Sequence, residues 1–485
     1  MDIVDRDLKS IQEVRNLVSK AKEAHEQLSQ MSQEEIDKIT KNMAEAAEAN
    51  ADKLAKLAAD ETGFGKWKDK IIKNIFASKN VYDYIKDMKT IGIINEDKVN
   101  KIVDVATPVG IIAGLIPSTN PTSTTIFKAI VAIKAGNAIV FSPHPNAKEC
   151  ILETAKVLRD AAESAGAPKG TISCMTVPTL EGTNELMKHK DVSLILATGG
   201  EAMVKAAYSS GTPAIGVGPG NGPAFIERTA DIEKSVKRII DSKTFDNGII
   251  CASEQSIVIE ECIKDKVKKE LVRQGGYFLS KEESDKLSKF ILRANGTMNP
   301  RIVGKDVQML AKMVGLSIPE DIRILLSEQT SVSKQNPYSR EKLTPILAFY
   351  CEENWEKACE KSIELLNNEG KGHTMIIHSN NEEIIREFAL KKPVSRVLVN
   401  TPGSLGGIGA TTNLVPSLTL GCGAVGGSAT SDNVGPMNLL NIRRLAYGVK
   451  ELEDCKVVNK DDNKFNIEDE YIDLILKKVM EKLNS

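Results

Sequence analysis

An α/β protein built on parallel, doubly wound sheet, with the chain shared between two lobes, is the fold class this sequence predicts. Three observations carry that expectation. From Gly110 onward, short β-prone runs alternate with helical stretches, and such βαβ crossovers require parallel pairing. The chain has 485 residues, more than one hydrophobic core usually supports. Small residues crowd 403–435, in GSLGGIGA and LTLGCGAVGGS, where loops must pass close to a ligand or another backbone.

Taken in order, residues 5–60 predict helices, with Leu8, Ile11, Val14, Leu17 and Val18 at helical spacing. Between Lys89 and Val109 two β-prone runs, TIGII and KIVDVA, flank the polar NEDKVN and predict a protruding hairpin. Strands are expected at GIIAGLI (110–116), NAIVFS (137–142), TISCMTV (171–177), SLILAT (193–198) and PAIGVG (213–218). Ligands on such sheets bind beyond the C-terminal ends of the strands. A second α/β region is expected from about Ala230, with strands in SEQSIVIE, ILAFYCEE, TMIIHS and SRVLVN.

Composition narrows the function classes. Apolar residues make up 41%, charged residues 27%, and the net charge is −2, so neither a nucleic acid nor a membrane surface is an expected partner. The N-terminal stretch lacks the apolar core of a signal peptide, and no apolar run is long enough to span a bilayer, which predicts a cytoplasmic protein. Eight cysteines are dispersed without a CxxC pair, so no disulfide framework and no metal site is expected. Small-molecule chemistry is the remaining class.

The most informative stretch is KTFDNGIICASEQSIVIE, 243–260. The turn Asp246-Asn247-Gly248 precedes Cys251 and places a thiol on a loop just before a strand. A single cysteine is more often a packing residue, so other segments must support it. In LIPSTNPTSTT, Asn120 sits between prolines on a rigid turn, where its amide can donate to a developing oxyanion or serve turn chemistry alone. Thr198-Gly199-Gly200 ends a strand and opens a helix, a geometry that suits a pyrophosphate.

Together, PSTNPT, FSPHP, ATGG, GVGPGN, FDNGIICASEQ, GHT and TLGCG, in this order over about residues 8–448, resemble the aldehyde dehydrogenase superfamily and its CoA-acylating branch. The resemblance implies the aldehyde dehydrogenase fold: a Rossmann-like NAD-binding domain over 1–88 and 107–227, and a catalytic α/β domain over 228–436. It also implies an oligomerisation element made of hairpin 89–106 and strand 437–450. That strand is expected to join the hairpin of a neighbouring subunit in a homodimer or homotetramer.

By the same resemblance, the Cys251 thiolate attacks an aldehyde, and Asn120 and the Cys251 backbone N–H hold the oxyanion. Hydride passes to a nicotinamide, and CoA then takes the acyl group from the thioester. Hydrolytic relatives carry a glutamate where this chain has Val217, and without that base water is a poor acyl acceptor. Ser118, Ser142, His144, Pro145, Thr198, Gly199, Gly200, Gly218 and Glu341 are implied to surround the cofactor, with Glu341 on the nicotinamide ribose. NAD is preferred over NADP as a family trait. His373, in GHT, assists thiol deprotonation, lines the CoA channel or is structural.

The ICASEQ neighbourhood resembles the aldehyde half of bifunctional aldehyde/alcohol dehydrogenases, which favours acetaldehyde or propionaldehyde, in a chain expected to lack the alcohol half. Succinate semialdehyde with NAD(P) is the near alternative and requires a cation in the substrate funnel. A non-catalytic scaffold is the distant one, opposed by the joint presence of Cys251, Asn120 and Glu341. Beyond NKDDNK, an amphipathic helix is expected on a tether within 456–485, with Ile467, Tyr471, Ile472, Ile475, Leu476, Val479, Met480 and Leu483 on one stripe. It resembles the encapsulation peptides that bind microcompartment shell proteins, here through 464–485. A helix docked on its own subunit or across an oligomer interface is the alternative.

Overall fold

The computed structural model describes residues 4–452 and 469–483. They form two compact units, one within Met1–Ile94 and Val105–Arg443, the other within Asn95–Asp104 and Arg444–Ser485. The chain opens with helix Arg6–Leu28, capped by Asp5, then Gln33–Ala49, which starts with a Ser32/Glu35 capping box, and Ala51–Thr62, which stops at left-handed Gly63. The face of the first helix that packs inward carries Ser10, Val14, Val18 and Ala21, and Leu8 from the expected stripe is 58% exposed. Small Ser10 packs against Gly182 of helix Leu180–Lys188, where a Cβ on the glycine would fall 1.9 Å from Ser10 Oγ, so a leucine has no room there.

The hairpin forms as β1 (Gly92–Asp97) and β2 (Ile102–Pro108). A parallel five-stranded sheet follows, from β3 (Ile111–Ile116), β4 (Ala138–Pro143), β5 (Ile172–Cys174), β6 (Val192–Thr198) and β7 (Ala214–Val217), in the order β5-β4-β3-β6-β7. Every residue of β3 and β4 is buried, as expected for strands covered by helices on both faces. The run expected over 171–177 shortens to β5, an edge strand with β4 as its one partner. The chain leaves β3 for β4 and returns beside β3 as β6, so the ends of β3 and β6 flank the switch point where such sheets bind ligands.

A seven-stranded parallel sheet comprises β8 (Gly222–Ile226), β9 (Glu254–Glu260), β10 (Gly276–Phe278), β11 (Ile324–Glu328), β12 (Ile346–Glu352), β13 (Gly372–His378) and β14 (Val394–Val399), ordered β10-β11-β12-β9-β8-β13-β14. Its first strand lies ahead of the boundary read at 227. Strands β7 and β8 are both short, buried runs separated by 218–221, so the local pattern does not show that the chain has changed sheets. Strands β10 and β11 were also not expected.

The last strand, β15 (Leu440–Ala446), pairs with β2 of its own chain, giving the order β1-β2-β15. The side chain of Asn137 donates to Leu439 O at 2.9 Å and that of Thr107 to Asn441 O at 3.1 Å, which bring this segment alongside β2. The predicted tail helix spans Asp469–Leu483, with Ile472, Ile475, Leu476, Val479, Met480 and Leu483 exposed. Ile467, the expected tether and the side chain of Tyr471 lie outside the described residues. Among the described residues no helix is long and apolar enough to cross a membrane.

Candidate active site

A cavity of about 570 Å³ opens at the C-terminal ends of β3, β4 and β6 and runs to the loop ahead of β9. Its walls include Ser118, Asn120, Ser142, His144, Pro145, Thr198, Gly199, Gly200, Gly218, Cys251 and Glu341. These residues come from segments as far apart as 118 and 341, and the fold brings them around one space.

Cys251 follows a strained turn. Asp246 and Asn247 are both left-handed, at φ 48° and 54°, ahead of Gly248 at φ 75°. Such residues each cost roughly 1–2 kcal/mol unless surrounding contacts hold them. Here the contacts do. Buried Asp246 accepts from Lys66 N at 2.6 Å, Lys70 Nζ at 3.1 Å and Lys73 Nζ, and the Asn247 amide donates to Gly304 O at 2.8 Å. Gly65 is required opposite, because a Cβ there would fall 1.9 Å from Asp246 Oδ1.

The same buried cluster fixes Asn120. This residue precedes helix Pro121–Lys134 without capping it through its side chain. Instead Lys73 Nζ donates to Asn120 Oδ1 at 2.6 Å, and Asn120 Nδ2 donates to Ile249 O at 3.1 Å. With its oxygen held by a cation, the amide must turn its nitrogen toward the cysteine loop, and one N–H remains for an incoming oxygen. Burial lowers the Lys73 pKa to about 8 against the pull of Asp246, so the ammonium form prevails at neutral pH.

His373 lies at the start of β13, where Gly370 and Gly372 adopt φ 83° and 84°. Its Nε2 is 3.2 Å from Cys251 Sγ and its Nδ1 is 2.9 Å from Thr374 Oγ1. Burial, and next the charge of Arg396, lower the His373 pKa to about 3, so the ring is neutral across the physiological range. Burial, then Glu341 and Cys422, push the Cys251 thiol up to about 12, while Arg396 and the residue's own backbone N–H pull it down. The resting pair is therefore a neutral thiol beside a neutral imidazole.

On the opposite arm, Ser142 Oγ is 2.8 Å from Thr183 Oγ1, and His144 Nδ1 accepts from Asn146 N at 3.1 Å. Thr198 Oγ1 is buried without a partner, and a Cβ at Gly200, the residue before helix Glu201–Tyr208, meets nothing within 4 Å. A buried polar atom without a partner, close to the open space beside Gly200, fits a polar ligand such as a dinucleotide. Glu341 is 8% exposed and accepts from Gly220 N at 2.9 Å. Burial and the nearby Glu369 raise its pKa to about 8. Among the described residues it is the one carboxylic side chain lining the cavity, since Val217 stands at the end of β7.

Sequence reading missed Lys70, Lys73, Thr374, Arg396 and Cys422. Lys70 and Lys73, in helix Trp67–Ile75, look like any solvated helix face. Arg396 offered a signal, as a charge inside the apolar run VSRVLV of β14.

The model of the aldehyde dehydrogenase family matches residues 3–317. The bifunctional aldehyde-alcohol dehydrogenase AdhE of Escherichia coli K12 is 47% identical over 398 residues, 81% of this chain and 45% of that protein. The chain thus spans about half the length of that relative. A probable aldehyde dehydrogenase structure from Listeria monocytogenes is 66% identical with a TM-score of 0.92, covering 93% of this chain and all of that one. An acetylating aldehyde dehydrogenase structure from Geobacillus thermoglucosidasius is 55% identical with a TM-score of 0.91, covering 93% of this chain and 99% of that one. The chain belongs to the aldehyde dehydrogenase family.

Proposed function

We propose that this chain converts a short-chain aldehyde, acetaldehyde or propionaldehyde, together with CoA and NAD, into the acyl-CoA and NADH, with the acyl group carried on Cys251. The carrying observation is a thiol 3.2 Å from an imidazole, at a cavity lined by Val217, the position that in the resemblance to hydrolytic relatives corresponds to their water-activating glutamate. The acetylating relative from Geobacillus supports it, as does a Rhodopseudomonas palustris propionaldehyde dehydrogenase, 28% identical, whose structure holds CoA and an acylated cysteine.

In this reading Cys251 Sγ gives up its proton and attacks the carbonyl carbon, and the oxygen of the resulting thiohemiacetal receives hydrogen bonds from the remaining Asn120 N–H and the Cys251 backbone N–H. Lys73 keeps the amide facing that oxygen. Thr198, Gly199, Gly200, Gly218, Ser118, Ser142, His144, Pro145 and Glu341 would hold the dinucleotide, and a nicotinamide bound there supplies the hydride acceptor that no side chain provides. The CoA thiolate then attacks the thioester carbonyl, the same donors meet the oxyanion, and the Cys251 thiolate leaves. Ile249, Ile250 and Leu420 line this end of the cavity with apolar side chains. NAD rather than NADP is part of the proposal, tested by titrating both.

A dicarboxylic semialdehyde fits less well. Lys73 is the one lysine or arginine lining the cavity among the described residues, and its ammonium is already engaged by Asp246 and Asn120. A homodimer or homotetramer is part of the same reading, because β15 is exposed along nearly its whole length. The exposed apolar side chains of helix Asp469–Leu483 suit a shell-protein partner. A relative from a Clostridium phytofermentans microcompartment supports that placement for this chain.

The test is NADH formation by the purified chain with NAD and either aldehyde. Turnover that requires CoA is expected. Turnover independent of CoA, or none with any short aldehyde, overturns the reading, the second outcome favouring a non-catalytic scaffold.

A further inference from the structure

Arg396 is 4% exposed, and among the described residues its guanidinium has no carboxylate partner. Its donors reach only neutral acceptors: Thr374 Oγ1 at 3.3 Å from Nε, Ser431 O at 3.3 Å and Asn433 Oδ1 at 3.1 Å from Nη1, and Gly421 O from Nη2. A buried cation without an ion pair costs stability, so its position asks what the charge serves.

Two connections lead to the cysteine. Thr374 and Arg396 are register partners on the parallel strands β13 and β14. The hydroxyl that Arg396 contacts is the one that contacts His373 Nδ1 at 2.9 Å, and His373 Nε2 faces Cys251 Sγ at 3.2 Å. The backbone leading to His373 is fixed as well, since a Cβ on Gly372 would fall 2.0 Å from Cys422 O. A continuous chain of contacts thus runs from the guanidinium through a hydroxyl and a ring to the thiol.

We infer that Arg396 is a positioning residue for the thiol chemistry: through Thr374 it holds the His373 ring against Cys251, so that the ring and not the guanidinium meets the thiolate. The inference rests on Cys251 being the acyl-carrying thiol. With the Arg396 Nε–H on one lone pair of the Thr374 hydroxyl, its hydrogen is free to donate to His373 Nδ1, which puts the ring hydrogen on Nε2. His373 then donates a hydrogen bond to the thiolate, and the thiol proton leaves to water in the cavity. The groups facing Cys251 are Glu341 from the segment before β12 and Cys422 from the glycine-rich loop, both of which oppose ionisation, together with His373 on β13. Arg396 is the cation among them. Cys422, then Cys251 and Asp432, are the groups that favour the charged form of Arg396 against its burial.

The test joins a labelling measurement that needs no substrate to a steady-state aldehyde assay. Rates of iodoacetamide labelling of Cys251, read on the isolated peptide across pH, are compared for the parent, Arg396→Gln, Arg396→Lys, Thr374→Val and Thr374→Ser, with thermal unfolding alongside. Arg396→Gln is expected to move the labelling midpoint up by about one unit, an about 10-fold slower reaction at neutral pH, whereas Arg396→Lys keeps the midpoint near the parent's. Thr374→Val is expected to lower kcat without changing KM, and Thr374→Ser to restore it. If Arg396→Gln lowers only the melting temperature and leaves the midpoint unmoved, or if Thr374→Val matches Thr374→Ser, the inference is overturned. An unmoved aldehyde assay beside a shifted labelling midpoint would instead count against the acylation reading alone.

Discussion

The two arms of the cavity are built by opposite means. The arm at the ends of β3, β4 and β6 is made of small side chains and glycines, with an unpartnered Thr198 hydroxyl and open space beside Gly200. The arm around Cys251 is packed with buried charge: Asp246 between Lys70 and Lys73 on one side, and Arg396 on the other. The first arm leaves its shape to be completed by a ligand. The second fixes its shape in advance, as preorganised oxyanion sites do. Binding and chemistry should therefore respond to different mutations.

The sharpest break is at Asp246. Asp246→Ala leaves two buried ammonium groups without a countercharge, and a loss of ~3–5 kcal/mol of stability is expected from the removal of one partner of such a cluster. Chemical denaturation measures it, and a change below about 1 kcal/mol would mean that the cluster is not the support described. Next is Asn120→Ala, which removes one oxyanion donor and should lower kcat by ~10²–10³-fold. Its cofactor affinity, measured by NAD titration, should be nearly unchanged if, as proposed, that affinity belongs to the other arm. A matching loss of affinity would erase the distinction between the arms.

A pH series probes both ends of β13, His373 at the Cys251 arm and His378 at the far end of the strand. The pKa values of His373 and His378 are both lowered to about 3, first by burial, below the ordinary value of about 6.5 that an unfolded chain has. The unfolded state therefore binds protons first, and the stability contributed by these neutral rings is present above pH ~6.5 and lost as pH falls toward 3. Denaturation at stepped pH should show this acid-side decline, and His378→Gln should lessen it. The smallest effect belongs to the tail. Removing 457–485 should leave kcat within about twofold in the purified enzyme, and a large loss would show that the helix serves catalysis or assembly rather than a partner protein.

The same contrast explains what was legible in the sequence. The strands of the five-stranded sheet could be read because buried parallel strands are near-continuous apolar runs, and the residues proposed to face the cofactor sit at their ends. Cys251 and Asn120 were legible through their turns and through family order. Their supports were not. The partners Lys73 and Asp246 are 173 positions apart, and nothing local distinguishes a lysine that reaches inward from one that is solvated. The left-handed Asp246 and Asn247 looked like an ordinary turn, because the strain is paid back by contacts that form only in the fold. Strand β8 was assigned to the wrong lobe because four loop residues do not reveal a change of sheet.

One measurement bears most directly on the central claim, that a preformed thiol arm makes an acyl enzyme which waits for CoA. The purified chain is mixed with NAD and propionaldehyde without CoA, NADH is followed through a single turnover, and the protein is digested for mass mapping. A burst close to one NADH per site is expected, with the acyl adduct on Cys251 persisting until CoA is added and then disappearing. Continuous NADH formation without CoA, or an adduct on any other residue, would contradict the account.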